Sequence, residues 1–574
     1  MCTGEMTLPF LATFTWNELI LAVGGTVLQQ PVMAEGQEDS ENENKNIGRG
    51  CFSPSTDTRT IQKGAVYIPI VGERFDGHAF LQKAIEAGAG AVLIQSDKKA
   101  TLPEDMPASV GVIEVDHTTE AYLALGRYHR RRCQAAVIAL TGSSGKTTTK
   151  EMMFQALSPY FKTQCTQKNF NNEMGVAQTL LGLHPETEVL IVEMGMRGLN
   201  EIDLLSRYAE PHISVVVNVG PAHIGRLGSL ENIATAKSEV VEGLTQPEEA
   251  LKEKFDALRP VCVFDGDSPY LADALGVRQS KKISARKSRA EKQSFDLAPV
   301  YLDAVHELQV QGGHTYFALD GEPFELSQPG EHLAKNTQLI VQVARRLGLS
   351  TQQIKEALST PLASDGRWEQ VEKTLRDGNG NTLSVTVIND AYNANPQSMG
   401  ASLRTLHQLL EEGSNKSHNP DDANNSGESG ESGGLEHPER VIYPILVFGG
   451  MKELGEQSDE YHQSMGELLE ALPALHGGEV LVVGAEAKPL VDKLLSIQAD
   501  CFAVPVTYWP VESAPTEEQW EEWLQHNVSR WMEFASQKGM ALNKENKQNK
   551  ETSLLVWLKG SRSYQLERFI SCLQ

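Results

Sequence analysis

An apolar run, Ala135 to Leu140, leads into Thr141-Gly142-Ser143-Ser144-Gly145-Lys146-Thr147-Thr148-Thr149 and then into a helix-forming stretch that reaches Leu157. Strand, glycine-rich turn and helix in that order call for a parallel α/β layer with a ligand at the turn. Glycines let backbone N–H groups turn inward around phosphate oxygens, and the helix N-terminus behind them adds a partial positive charge. Gly142, Ser143, Ser144, Gly145 and Thr148 then line a phosphate cradle. Lys146 reaches the outer phosphates, and the Thr147 hydroxyl faces Mg²⁺. Position 140 is leucine, so the strict G-x-x-x-x-G-K-[ST] pattern fails and the loop is a variant that begins at Gly142. A plain Gly/Ser turn before a helix is the competing reading, and the strand–loop–helix context disfavours it.

At 574 residues the chain is long enough for three or four domains. Three stretches, 34–49, 411–439 and 536–552, are too polar and repetitive to bury a core and read as surface loops or tethers. Between them the chain divides into blocks of 1–133, 134–360 and 361–574. The first opens on a capping-box helix (Thr15 with Glu18) and continues through short strands, Ala65 to Ile68 and Ala91 to Ile94. The second alternates strands and helices around the phosphate loop. The third repeats that alternation, with strands at Ser384 to Ile388, Ile442 to Phe448, Val480 to Val483 and Leu554 to Leu558. The fold class is therefore α/β in three domains: a small amino-terminal one, a central parallel-sheet nucleotide domain and a Rossmann-like carboxy-terminal one.

A net charge of -25 argues against nucleic acid and anionic membranes as partners, since both want basic surface. Seven scattered cysteines without a C-x-x-C pair suggest reduced thiols rather than disulfides or zinc. No run of about 18 apolar residues spans a bilayer, and the apolar patch Leu8 to Phe14 lacks the basic flank of an export signal. The expectation is a soluble, cytoplasmic protein, and nothing demands more than a monomer.

Two further apolar strands end in polar tips. Val189 to Val192 runs into Glu193, and Ser214 to Val217 runs towards His223. Parallel strands deliver such tips to one sheet edge, which brings Glu193 and His223 towards Lys146 and Thr147 as divalent-metal ligands. Taken alone, His223 reads more simply as a hydrogen-bonded strand-end histidine. Lys237, on a helix just beyond, reads as solvated surface. Asn169, Asn171 and Asn172 either bind a polar ligand or cap the helix that starts near Glu173.

The motifs together resemble the Mur ligases, ADP-forming amide ligases of the peptidoglycan stem peptide. TGSSGKTTT at 141–149, NFNNEMG at 169–175, VEMGMRGLNEI at 192–202, VGPAHIGRLGS at 219–229 and AKSE at 236–239 carry the likeness in the central block. GRWE at 366–369, DAYNANPQSM at 390–399, FGGMKELGEQS at 448–458 and LKGSRS at 558–563 carry it in the third. STDTR at 55–59 and GERFDGHAF at 72–80 look like the family's nucleotide-sugar-binding domain. Within the family, the third-block motifs look like those of members that add D-alanyl-D-alanine to UDP-N-acetylmuramoyl-tripeptide.

The resemblance implies ATP and Mg²⁺ as cofactors and an acyl-phosphate route. Lys146, Glu193, His223 and Lys237 become catalytic or metal-facing, with Lys237 carbamylated as in the family. Asn336 would lie near the adenine, and Arg367 and Asp390 would close over ATP. Thr58 and Arg59 would hold the UDP-sugar, although a salt-bridged turn explains Arg59 as well. Asn393, Asn395 and Lys559 fall on the dipeptide side. Gly330-Glu331-His332-Leu333 departs from the more usual Gly-x-His-Asn and lacks one amide. A ligase for another amino acid, and a nucleotide-binding switch without ligase activity, stay open as alternatives.

Overall fold

The computed structural model describes residues 12–32, 51–72, 75–285, 295–361, 366–376, 382–415, 441–476, 478–497, 505–537 and 552–573. Tether 34–49 lies outside these residues, as do most of 411–439 and 536–552. The helices Pro396–Asn415 and Glu517–Gln537 run into the last two.

The central sheet has six strands, all parallel, in the order Thr163–Cys165, Val189–Glu193, Ala136–Thr141, Ile213–Val216, Val261–Asp265, Asp296–Val300. Strands covered by helices on both faces need apolar residues throughout, and every residue of Ala136–Thr141, Val189–Glu193 and Ile213–Val216 is buried. A three-stranded antiparallel sheet, His306–Gln311, His314–Leu319 and Glu322–Leu326, follows it and was not expected from the sequence.

The amino-terminal sheet runs Thr26–Gln29, Gly111–Val115, Ala91–Gln95, Val66–Tyr67, Pro54–Ser55, parallel except for its first pair. The helix Trp16–Val23 before it carries both bonds of the Thr15/Glu18 capping box. In the carboxy-terminal sheet the order is Glu369–Arg376, Thr382–Asn389, Thr552–Lys559, Val441–Gly449, Glu479–Val483, Val506–Trp509. Only its first pair is antiparallel. The four strands expected there are present, each extended by one or two residues at its ends; Glu369–Arg376 and Val506–Trp509 are additional. One apolar core runs from Leu19 through Val137 to Trp557, so all three sheets share packing.

Among the described residues Cys51, Cys133, Cys262 and Cys572 are free thiols, with Cys133 and Cys262 buried. No helix among the described residues is long and apolar enough to cross a membrane.

Behind the carboxy-terminal sheet the fully buried Trp520 meets Trp509 at 5.1 Å and Phe569 at 5.3 Å between ring centroids. Trp520→Ala empties that space and lowers stability by about 3–5 kcal/mol. A lower urea midpoint, followed through the fluorescence of the remaining tryptophans, checks it; an unchanged midpoint would refute the packing argument.

Candidate active site

The sheet's strand order reverses at Ala136–Thr141, which lies between Val189–Glu193 and Ile213–Val216. Open α/β sheets form their ligand crevice at such a point, beyond the carboxyl ends of the strands. The phosphate loop emerges there and passes through Gly145, at φ 71, into the helix Lys146–Leu157.

Two braces hold the loop. The Ser143 hydroxyl donates to the Gly220 carbonyl at 2.9 Å and accepts from the Gly220 N–H at 2.9 Å. The Asn218 carboxamide accepts from the Ser144 N–H at 3.0 Å and donates to the Ser144 carbonyl at 3.1 Å. The cradle is thus shaped by protein contacts before an anion enters it, which is what electrostatic preorganisation requires.

Lys146 reaches back across the loop to donate to the Gly142 carbonyl at 2.8 Å. Burial pushes its pKa down; the Glu193 charge opposes this, and the charge of Arg367 adds to it. The Thr147 hydroxyl donates to one Glu193 oxygen at 3.0 Å, and the Asn171 carboxamide donates to the other at 2.9 Å. Glu193 is 1% exposed, and its N–H donates to the Thr166 hydroxyl at 3.0 Å. Lys150, wholly buried, donates to the Thr166 and Lys168 carbonyls at 2.8 and 3.2 Å and stands 3.9 Å from the Glu193 carboxylate. That network fixes an anion beside the hydroxyl expected on the metal.

Hydroxyl and carboxylate oxygens are the donors that Mg²⁺ takes. Among the described residues no group of three or more His, Cys, Asp or Glu side chains could hold a metal ion. A hard cation bound there would therefore draw further oxygens from the nucleotide phosphates, as Mg²⁺ does in many nucleotide sites. Asn336 is 4% exposed and its Nδ2 has no partner, 3.9 Å from where a side chain on Gly145 would start. A buried donor left unmade costs about 1–3 kcal/mol, so an acceptor on a ligand beside the loop fits this place.

Lys237, on the helix Leu230–Ser238, is 2% exposed. It is no surface lysine: burial, then the charge of Lys146, pushes its pKa well below the usual lysine value. His223 follows Val217 to Ala222 with its backbone at φ 64, and its Nδ1 pairs with the Glu453 carboxylate of the carboxy-terminal unit. The hydrogen bond from His223 lowers the Glu453 pKa, although burial opposes it.

The carboxy-terminal sheet turns the ends of its own parallel strands to the same crevice. Asp390 follows Thr382–Asn389, and the Lys559 ammonium, at the end of Thr552–Lys559, donates to it at 2.6 Å. The Ser402 hydroxyl donates to the same Asp390 oxygen at 2.8 Å. Arg367 lies 3.7 Å above the Tyr392 ring, with Arg562 5.3 Å from the same ring centroid. His332 lies in the first turn of the central unit's helix Glu331–Arg346 and is exposed. Burial depresses its pKa, and the Asp390 and Lys559 charges both act on it across the cleft. Gln397 also crosses, accepting from the Ser144 hydroxyl at 3.0 Å.

The residues expected on the substrate side are more dispersed. Asn172 caps the helix Glu173–Leu181 through the Gly175 N–H, and Asn395 accepts from the Ser398 N–H at 2.9 Å. Both carboxamides are engaged in local turns. Asn169 and Asn393 are exposed, and Thr148 and Thr58 are half-buried. Arg59 is exposed and grips Asp57 at 2.6 and 2.9 Å, which holds the Asp57 carboxyl at about 2. Asn218, Lys150, Gln397, Tyr392 and Glu453 were not singled out from the sequence. Gln397, Tyr392 and Glu453 stand inside quoted motifs, so proximity to those motifs was the available signal.

The family model described as Mur ligase middle domain matches residues 140–344, and the one described as Mur ligase family, catalytic domain, matches 55–130. The UDP-N-acetylmuramoyl-tripeptide--D-alanyl-D-alanine ligase of Bacillus subtilis (strain 168) is 31% identical over 417 residues, 72% of this chain and 77% of that protein. Its Escherichia coli (strain K12) namesake is 29% identical over 420 residues, 73% and 78% of the two chains. A crystal structure of MurF from Acinetobacter baumannii shares the fold with a TM-score of 0.68 at 24% identity, covering 98% of this chain and 99% of that one. The MurF ligase from Thermotoga maritima in complex with ADP superposes with a TM-score of 0.62 at 20% identity, covering 91% and 96%. With a phosphate loop facing a second α/β unit and a relative of this identity and coverage, the chain belongs to the Mur ligase family.

Proposed function

We propose that the chain is an ATP-dependent, ADP-forming ligase that joins D-alanyl-D-alanine to UDP-N-acetylmuramoyl-tripeptide in peptidoglycan precursor synthesis. The observation that carries this is the Thr147–Glu193 bond beside Lys146, faced across the crevice by Arg367, Asp390 and Lys559.

The tripeptide carboxylate oxygen attacks the γ-phosphorus of ATP, the bond to the ADP oxygen breaks, and an acyl phosphate forms. The dipeptide amine then attacks the acyl carbon, loses a proton and expels phosphate from the tetrahedral intermediate. Both steps need positioning and charge neutralisation more than covalent help. Lys146 and the loop N–H groups hold the outer phosphates, and Arg367 meets them from the other side. Bound Mg²⁺ supplies Lewis acidity to the phosphate oxygens; Thr147 and Glu193 would hold it, with His223 and a carbamylated Lys237 at a second position. Asn336 faces the adenine, and Asp390 orients Lys559 towards the acceptor side. Asn171 works through Glu193. Thr58 and Arg59 form the nucleotide-sugar side, where Arg59 would exchange Asp57 for a diphosphate; Asn169, Asn172, Asn393 and Asn395 border the peptide.

Domains of 1–133, 134–360 and 361–574 fit this division of labour, with hinges near 133 and 360. The enzyme works as a cytoplasmic monomer. The test is ADP and phosphate release from purified protein. Release that requires both the UDP-muramoyl tripeptide and D-alanyl-D-alanine supports the reading. Release from ATP alone would replace it with a nucleotide switch, and use of a different amine with another acceptor would move it elsewhere in the family.

A further inference from the structure

We propose that Glu453 is a positioning residue for His223, so that the imidazole takes its working orientation only while the central and carboxy-terminal units are docked. The inference rests on the ligase reading of the crevice and goes beyond it by making one catalytic group conditional on closure.

His223 belongs to the central unit and Glu453 to the loop after the strand Val441–Gly449. Both have left-handed backbones, at φ 64 and φ 65, a conformation uncommon for residues with a side chain. The Glu453 carboxylate takes the His223 Nδ1. A carboxylate on one ring nitrogen fixes the tautomer and the ring plane, leaving Nε2 as the nitrogen available to a ligand.

The contact belongs to a backbone seam rather than to two long side chains meeting by chance. The Gly225 N–H donates to the Glu453 carbonyl at 3.1 Å. A side chain on Gly225 would start 2.4 Å from the Gly455 nitrogen, and one on Gly455 would start 2.6 Å from the Gly225 Cα. Only glycine at both places lets the two main chains come this close, and that approach brings Glu453 within reach of His223. When the units separate, the imidazole loses its orienting partner. ATP held on an open protein would then face an incompletely ordered site, which limits hydrolysis before the peptide substrate has closed the cleft.

The test uses the full-length protein with Glu453→Gln, His223→Gln and the double variant. Expected are a 10- to 100-fold fall in kcat for Glu453→Gln with KM values changed by less than about threefold, and a double variant no slower than His223→Gln alone. In a readout independent of turnover, Mn²⁺ bound with a non-hydrolysable ATP analogue and UDP-muramoyl tripeptide should be about tenfold weaker by electron paramagnetic resonance in Glu453→Gln. Small-angle scattering should show Glu453→Gln compacting like the wild type. Multiplying losses in the double variant, unchanged Mn²⁺ affinity, or failure of Glu453→Gln to compact would each overturn the proposal; the last would make Glu453 a latch only. Wild-type protein that makes no ADP with the two substrates would reject the ligase reading itself.

Discussion

Lys146→Ala abolishes turnover: kcat falls by at least about 10³-fold, or roughly 4 kcal/mol of transition-state stabilisation. The substitution leaves the cradle standing, because Ser143, Ser144, Gly220 and Asn218 hold it without the lysine. The Thr147–Glu193 bond also survives. What goes is a half-buried positive charge on the phosphate loop, which on the ligase reading would meet the outer phosphates, where negative charge grows during transfer. Nucleotide affinity should therefore fall far less than kcat. Lys146→Arg does not rescue, since the planar guanidinium cannot occupy the short path over Gly142 that the ammonium spans at 2.8 Å. A coupled ADP assay beside nucleotide titration by fluorescence separates the two effects. Wild-type-like rates in Lys146→Ala would count decisively against the phosphate-loop assignment.

That loop was legible because strand, turn and helix are contiguous in the chain, and the same holds for most of the sheets. Central strands buried on both faces announce themselves as apolar runs, so Val189–Glu193 and Val441–Gly449 were visible. The edge strand Glu369–Arg376 was not. It alternates exposed Gln370, Glu372 and Arg376 with half-buried or buried neighbours, the polar and charged dress that keeps sheet edges from pairing with other chains. The antiparallel sheet 306–326 was missed for a related reason. Its residues alternate in and out, and its clearest sequence mark is the short Asp320–Gly321 turn, both residues at positive φ.

For the site, local rules reached as far as single elements. The strand-tip argument placed Glu193, and the structure puts it on Thr147. By pattern Lys237 reads as surface, and only the family resemblance argues otherwise; the structure buries it. Gln397 on Ser144 and Glu453 on His223 join residues 253 and 230 positions apart. No periodicity or spacing encodes such a pair; it follows from two sheets turning their carboxyl edges to one crevice.

Lys237→Ala lowers kcat by on the order of 10³-fold, the loss typical when one stabilising group at developing charge is removed. Its burial explains the chemistry. Desolvation, then the nearby Lys146 charge, disfavours the ammonium, so the free amine is populated at lower pH than in an exposed lysine. A neutral amine nitrogen can attack the carbon of CO₂; the N–C bond forms, a π pair moves to oxygen, and the N–H proton leaves to give a carbamate anion. On the ligase reading, that exchange would replace a repelling charge beside Lys146 with an attracting anion and would supply oxygens for a metal. The sign of the pH effect follows. With the native pKa below the unfolded 10.5, the unfolded chain binds more protons, and stability from this group declines as pH drops below 10.5 towards the native value. Lys237→Met, which keeps volume and removes the charge, should be at least as stable as the unmodified protein while remaining inactive. Wild-type enzyme held at mildly acidic pH under CO₂-free gas should lose activity and recover it with bicarbonate, whereas Lys237→Ala should not respond. A Lys237→Ala rate above about one tenth of wild type would exclude the lysine from the chemistry, because a removed stabilising group costs far more than that.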